Sequence, residues 1–273
     1  MTKIRFKSLS SGSCGNCYYL GSFDPDGSCR AGILIDAGVS PRRLGKELAR
    51  ESLGFDDLQA MLITHDHMDH IRSLGSYCKH LGKPVWATER LQAAISRHVV
   101  AGEHFGGCRR DLREGWNEVV PGLVSVRYFV VPHDATQTVG FAVLFEGLRY
   151  VHITDCGRMT PEALDWCRQA DALTLESNYD PDMLRDGPYP PDLQQRIRGG
   201  HGHLSNGECA EALRSCLHPG LRHIFLCHLS EHNNTPELAY AQSRAVLDEA
   251  RSDALLCPLP RQSPSQMFDL AEV

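Results

Sequence analysis

The chain has 273 residues, 42% of them hydrophobic and 23% charged, the proportions of a protein that folds around a buried core. It holds no apolar run of about 18 residues, and residues 1–9 are too polar for a secretory signal, so no membrane span and a cytoplasmic location are expected. The net charge of −6 speaks against coating nucleic acid through a broad basic face, but not against a nuclease whose metal ions supply the local positive charge.

Residues 4–9 and 17–20 read as strands around a Ser/Gly/Asn loop, 10–16. Residues 32–36 are a short apolar run, a buried strand. Ser40-Pro41 gives a helix N-cap followed by proline at the first helical position, with Leu44 and Leu48 at helical spacing. Residues 60–64 form another buried strand, 71–81 a helix, 84–87 a strand and 88–99 a helix. The glycine-rich stretch 101–113 reads as a surface insertion. Strands resume at 118–120 and 124–131, and 139–145 pairs with 149–154 as a hairpin across Glu146-Gly147. Residues 172–176 are a strand, 191–198 and 206–217 helices, 223–227 a strand and 236–251 a helix. Two runs of mixed strands with helices outside predict a four-layer α/β/β/α sandwich, taken as one domain over residues 1–258. Residues 259–273 are expected to be a polar tail, poorly ordered or lying on the surface. Of the 11 cysteines only Cys14 and Cys17 make a C-x-x-C pair, so free, mostly buried thiols are expected.

The strongest chemical signal is His65-Asp66-His67-Met68-Asp69-His70, directly after a buried strand. So many polar groups at a strand end are costly to desolvate without a partner, and a metal ion is such a partner. His65 and His67 can address one ion, Asp69 and His70 a second. Two ions need further ligands, and His133, Asp155 and His228 each follow an apolar strand, where α/β sheets place their sites.

The set Asp36, His65-x-His67-x-Asp69-His70, His133, Asp155 and His228 resembles the ordered motifs of the metallo-β-lactamase superfamily and spans nearly the whole chain. The resemblance implies His65, His67 and His133 on one metal, Asp69, His70 and His228 on the other, Asp155 bridging, and Asp36 orienting a histidine. Ser8 to Tyr18, Leu34-Ile35-Asp36-Ala37-Gly38, Pro132-His133-Asp134-Ala135, Leu175 to Asp180, Gly202 to Asn206 and His228 to Asn234 resemble more closely the YycJ/WalJ-like branch. That branch implies a 5′-to-3′ exonuclease acting on DNA, with links to mismatch repair. Cys156 and the pair Glu231-His232 depart from its pattern.

The expected chemistry is phosphodiester cleavage by a hydroxide shared between two divalent ions, zinc or manganese, with iron also compatible. Asp69, Asp36 and His203 are the expected catalytic residues, His203 as donor to a phosphate or leaving oxygen. Ser205 reads as the N-cap of a helix whose free N–H groups bind phosphate. Ser11 and Asn16 in the first loop, with Asn206 and Asn233, complete the expected substrate contacts, and Arg109, Arg110 and Arg113 can meet a nucleic-acid backbone. A thioester or small phosphodiester hydrolase of the same fold is the alternative. A non-catalytic metal-binding scaffold has no need of seven ligands.

Overall fold

In the computed structural model, which describes residues 2–272, the apolar runs become two seven-stranded sheets. The first runs β1 (Lys3–Gly12), β2 (Gly15–Phe23), β3 (Cys29–Ile35), β4 (Leu58–Leu62), β5 (Val85–Ala87) and β6 (Arg109–Asp111). The second runs β7 (Asn117–Val120), β8 (Val124–Val131), β9 (Thr138–Phe145), β10 (Leu148–Ile153), β11 (Ala172–Glu176), β12 (His223–Cys227) and β13 (Leu255–Pro258). A further strand, β14 (Phe268–Glu272), lies outside β1. The helices are α1 (Pro41–Arg50), α2 (Met68–Ile71), α3 (Leu74–Leu81), α4 (Glu89–Arg97), α5 (Phe105–Cys108), α6 (Pro161–Cys167), α7 (Pro181–Asp186), α8 (Pro191–Arg198), α9 (Asn206–Cys216) and α10 (Pro236–Glu249).

The sheets face each other across one core. Ile4, Phe6 and Ile33 of the first share it with Phe141, Tyr150 and Phe225 of the second, and the Phe6 and Phe225 rings stack at 4.5 Å. The other face of the second sheet buries Leu173 and Ile224 against Leu213 of α9 and Leu247 of α10. Leu44 of α1 and Leu91 and Ile95 of α4 are buried on the first sheet's side. These are the expected α/β/β/α layers. The hairpin turn falls at Glu146 (φ 47°) and Gly147 (φ 96°), both left-handed, as a tight two-residue turn between twisted strands requires. Ser40 caps α1 by accepting from the Arg43 N–H at 3.3 Å. All 11 cysteines are free, and eight of them are buried. No helix among the described residues is long and apolar enough to cross a membrane.

Two expectations need correction. The described part of the expected tail, residues 259–272, does not lie loose on the surface. β14 pairs antiparallel with β1, placing Phe268 opposite Phe6, while Leu259, Phe268 and Leu270 join the core. Their apolar side chains alternate with polar ones, as in a strand covered on one face only. Residues 101–113 are likewise built in: Ala101, Phe105, Cys108 and Leu112 are buried, and β6 extends the sheet parallel to β5. The short elements α6, α7 and β13 went unread, and the predicted helix over 71–81 is broken into α2 and α3.

What places the site is the run of parallel pairings. β3 lies parallel to β4, and β10, β11 and β12 lie parallel side by side. Their C-terminal ends therefore open at the edges where ligands bind in such sheets.

Candidate metal centre

Three of the expected residues turn the chain as it leaves a strand. Asp36 (φ 64°) follows β3, Asp155 (φ 51°) follows β10 and His228 (φ 54°) follows β12. A left-handed non-glycine residue costs roughly 1–2 kcal/mol, and such residues gather at functional sites.

His65, His67 and His133 form one group whose nitrogens lie within 4.8 Å of one another. His133 Nδ1 donates to the Gly202 carbonyl at 2.7 Å, leaving Nε2 as a lone pair 3.3 Å from His67 Nδ1. His65 Nδ1 meets the Thr64 hydroxyl at 3.0 Å, while its Nε2 is buried with no hydrogen-bond partner. Burial pushes the His65 and His133 imidazoles below their ordinary pKa, toward the neutral form that ligates. An orphaned, buried, neutral imidazole nitrogen facing two others is the donor set a divalent metal completes.

The second group is Asp69, His70 and His228. His70 Nδ1 contacts Asp36 Oδ2 at 2.7 Å and directs Nε2 toward Asp155 Oδ2 at 3.2 Å and Asp69 Oδ2 at 3.4 Å. His228 Nε2 lies 3.4 Å from Asp69 Oδ2 and 3.7 Å from Asp155 Oδ1. Asp155 Oδ1 is also 3.6 Å from His133 Nε2, so this carboxylate stands between the groups. Burial opposes ionisation of Asp155 and Asp69, yet the surrounding histidines outweigh it and hold both carboxyls well below the usual range. Asp36 is fully buried and accepts the Thr64 N–H at 2.9 Å besides meeting His70, so it orients a ligand without facing the cleft.

Several expected substrate contacts are placed elsewhere. Ser11 and Asn16 pair across the tip of the β1–β2 hairpin and are fully buried. Ser11 Oγ accepts the His228 N–H at 2.9 Å, and Asn16 Nδ2 lies 3.1 Å from Asp69 Oδ2 and 2.8 Å from His70 Nε2. They hold the centre from behind. Asn206 is buried against Ser177 and Asn234, and Asn233 reaches Ser230, so neither lines the cleft. Ser205 caps α9 in a reciprocal box with Glu208, and the Asn206 N–H is taken by the Tyr179 carbonyl. Donors satisfied in this way are not left for phosphate. Arg109, Arg110 and Arg113 lie on or beside the edge strand β6, outside the cleft lining.

His203 does face the cleft, and its partner is a residue the sequence did not single out. Glu176 ends β11, fully buried between β10 and β12. Its Oε2 accepts the Cys156 N–H at 2.9 Å and the Leu204 N–H at 3.0 Å. Its Oε1 meets His203 Nδ1 at 2.8 Å and His228 Nδ1 at 3.2 Å. Burial opposes its charge, but the two histidines win and hold the carboxyl down near about 2. Four donors converging on one buried carboxylate fix two imidazoles at once. Cys156 contributes its backbone N–H here, while its thiol turns to the Arg158 carbonyl at 3.0 Å.

The cleft above these groups holds about 260 Å³. His67, Asp69, His133, Asp155, His203 and His228 line it, together with Tyr189, Leu193 and Ile197 from the α7–α8 segment. Ser13, not Ser11, reaches it from the hairpin tip, and Arg196 and Asp134 pair at its rim.

Two seven-stranded sheets between helix layers, with a histidine–carboxylate centre at their strand ends, define a metallo-β-lactamase-fold protein. Residues 32–228 match the model of the beta-lactamase superfamily domain, and the chain belongs to that superfamily. It is 33% identical over 242 residues to exodeoxyribonuclease WalJ of Streptococcus pneumoniae, covering 88% of this chain and 87% of that one. To exodeoxyribonuclease YycJ of Bacillus anthracis it is 31% identical over 249 residues, 90% of each chain. Zinc-bound PqqB of Methylobacterium extorquens shares the fold at 20% identity, with a TM-score of 0.66 over 97% of this chain and 99% of that one. The chain is thus a hydrolase of the metallo-β-lactamase fold with a site suited to divalent metal.

Proposed function

We propose that this protein is a metal-dependent exonuclease that degrades DNA from the 5′ end. The observation that carries the reading is the 33% identity to WalJ over 88% of the chain, extending well beyond the histidine cluster that the wider superfamily shares. In this reading two divalent ions, zinc or manganese, with iron also compatible, are held by His65, His67 and His133 and by Asp69, His70 and His228, with Asp155 between them. Bound there, such ions would lower the pKa of water toward neutrality and offset the charge that grows on phosphoryl oxygens. His203 has its Nδ1 held by Glu176 at 2.8 Å, which leaves Nε2 to donate to a phosphate or leaving oxygen. Asp36 and Asn16 keep His70 and Asp69 in place. Eleven free thiols suit a reducing compartment, in keeping with a cytoplasmic enzyme.

The test is direct. Purified protein loaded with manganese or zinc is incubated with 5′-labelled duplex DNA, with a thioester and with bis-p-nitrophenyl phosphate. Metal-dependent release of mononucleotides from the labelled end is the expected result. Thioester turnover with the DNA left intact would overturn the reading.

A further inference from the structure

The cleft lining mixes two chemistries, and only the histidines and carboxylates are accounted for by hydrolysis. Sharing the cleft with the histidines and carboxylates is Tyr189, half-buried, with Leu193 and Ile197 also in the lining. Its hydroxyl makes no hydrogen bond to the described residues, so the side chain borders the cleft without being tied by its polar end. The backbone that carries it is stiff. Tyr189 sits between Pro188 and Pro190, which fix their own φ and bias the residue ahead of them to extended conformations. Gln194 Nε2 donates to the Tyr189 carbonyl at 2.9 Å, and the ring meets His232 edge-on at 5.9 Å. Leu184 and Ile197 pack beneath it. A ring so fixed before any ligand arrives loses little freedom on binding, the property of a preorganised contact.

A cleft lined by an aromatic ring and by metal-ligand candidates together fits a molecule that carries both an aromatic face and an anion. A nucleotide has both. The cleft is small, about 260 Å³ against the range of about 300–1,000 Å³ usual for ligand pockets, and a base must leave its pairing partner to lay a face on a ring inside it.

We propose that Tyr189 is the platform on which the terminal nucleobase stacks while its phosphodiester faces the metal ligands, so that the enzyme takes an unpaired strand end and reads its base without regard to sequence. This rests on the exonuclease reading and specifies its substrate. Stacking tolerates every base because each has a π-face, and it is lost when the base is absent.

The experiment uses full-length, manganese-loaded protein and single-stranded oligonucleotides whose 5′-terminal linkage is a cleavage-resistant phosphorothioate. One carries 2-aminopurine as its terminal base and another an abasic terminal residue. Binding is followed by anisotropy and stacking by 2-aminopurine fluorescence. The wild type is expected to quench the terminal 2-aminopurine and to bind the abasic end about tenfold more weakly. Tyr189→Ala is expected to bind both ends alike, at the abasic affinity, while Tyr189→Phe retains the preference. Equal wild-type affinity for the two ends, or an unquenched terminal base, overturns the stacking role, and this comparison needs no variant to fold. If the wild type meets that result yet still degrades DNA, only the role of Tyr189 falls. If it neither binds nor degrades DNA, the exonuclease reading falls first.

Discussion

Replacing Glu176 with glutamine changes one oxygen into an amide nitrogen and leaves the shape of the side chain intact. The structure dictates which way the new amide must turn. Two backbone N–H groups, of Cys156 and Leu204, point at Oε2 from 2.9 and 3.0 Å, so the amide oxygen must stay with them. The new NH2 then faces His203 Nδ1 and His228 Nδ1, where the carboxylate oxygen stood at 2.8 and 3.2 Å. Asn178 Nδ2 also lies 3.2 Å from His228 Nδ1, but it has its own acceptor in the His228 carbonyl at 2.7 Å. For His228 to accept from the amide, its proton must move to Nε2, the nitrogen that faces Asp69 and Asp155. A protonated Nε2 cannot ligate, so metal binding must expel that proton and leave two donors opposed. Loss of a partner behind a ligand of this kind typically weakens metal affinity by about 10- to 100-fold, or roughly 1.4–2.7 kcal/mol at 1.36 kcal/mol per tenfold. Zinc affinity measured by competition against a chromophoric chelator, with circular dichroism to show an unchanged fold, checks this. A Glu176→Gln protein that binds zinc within about twofold of wild type would refute the tautomer argument, since a tenfold loss is the least it predicts.

Other substitutions separate support from contact. Asp36→Ala removes a fully buried carboxylate and strands the Thr64 N–H and His70 Nδ1, so it should cost about 2–4 kcal/mol in urea unfolding of the metal-free protein and weaken metal binding as well. A loss below about 1 kcal/mol would contradict the paired geometry. Ser205→Ala should destabilise by about 1 kcal/mol through the lost cap while kcat and KM on DNA stay near wild type, because the hydroxyl is engaged with Glu208. A large rise in KM would return Ser205 to the substrate. Phe268→Ala should cost about 3–5 kcal/mol, since the ring is buried against Phe225 at 4.9 Å; a near-neutral effect on the thermal midpoint would mean that β14 is dispensable.

The seven ligand candidates were legible because each follows an apolar strand in the chain, a local pattern that needs no knowledge of pairing. The sandwich was legible for the same reason, from runs of strands separated by capped helices. Glu176 was not, although it too ends a strand. Its role comes from β11 lying between β10 and β12, with Glu176 opposite Cys227, a neighbourhood set by pairing across some fifty residues of intervening chain. Ser11 and Asn16 misled because a Ser/Gly/Asn loop has the composition of an exposed turn. Tertiary packing buried it beneath His228, and its polar groups became supports. Phe268 and Leu270 were overlooked because two apolar residues in a polar stretch make a weak strand signal until a neighbouring edge supplies the ladder.

The fastening of that first hairpin also sets an order of events. Ser8 N–H donates to Ser265 Oγ at 3.0 Å, Ser11 N–H to the Arg261 carbonyl at 3.1 Å, and β14 closes the free edge of β1. A ribosome makes residues 3–16 first and residues 261–272 more than 200 positions later, and at about 5–20 residues per second that gap lasts on the order of ten seconds or more. During it the histidine cluster is already made, but the loop that steadies Asp69, His70 and His228 is not yet clamped. The last residues to be made are thus the ones that fasten the first hairpin, and they come from the stretch that looked least structured.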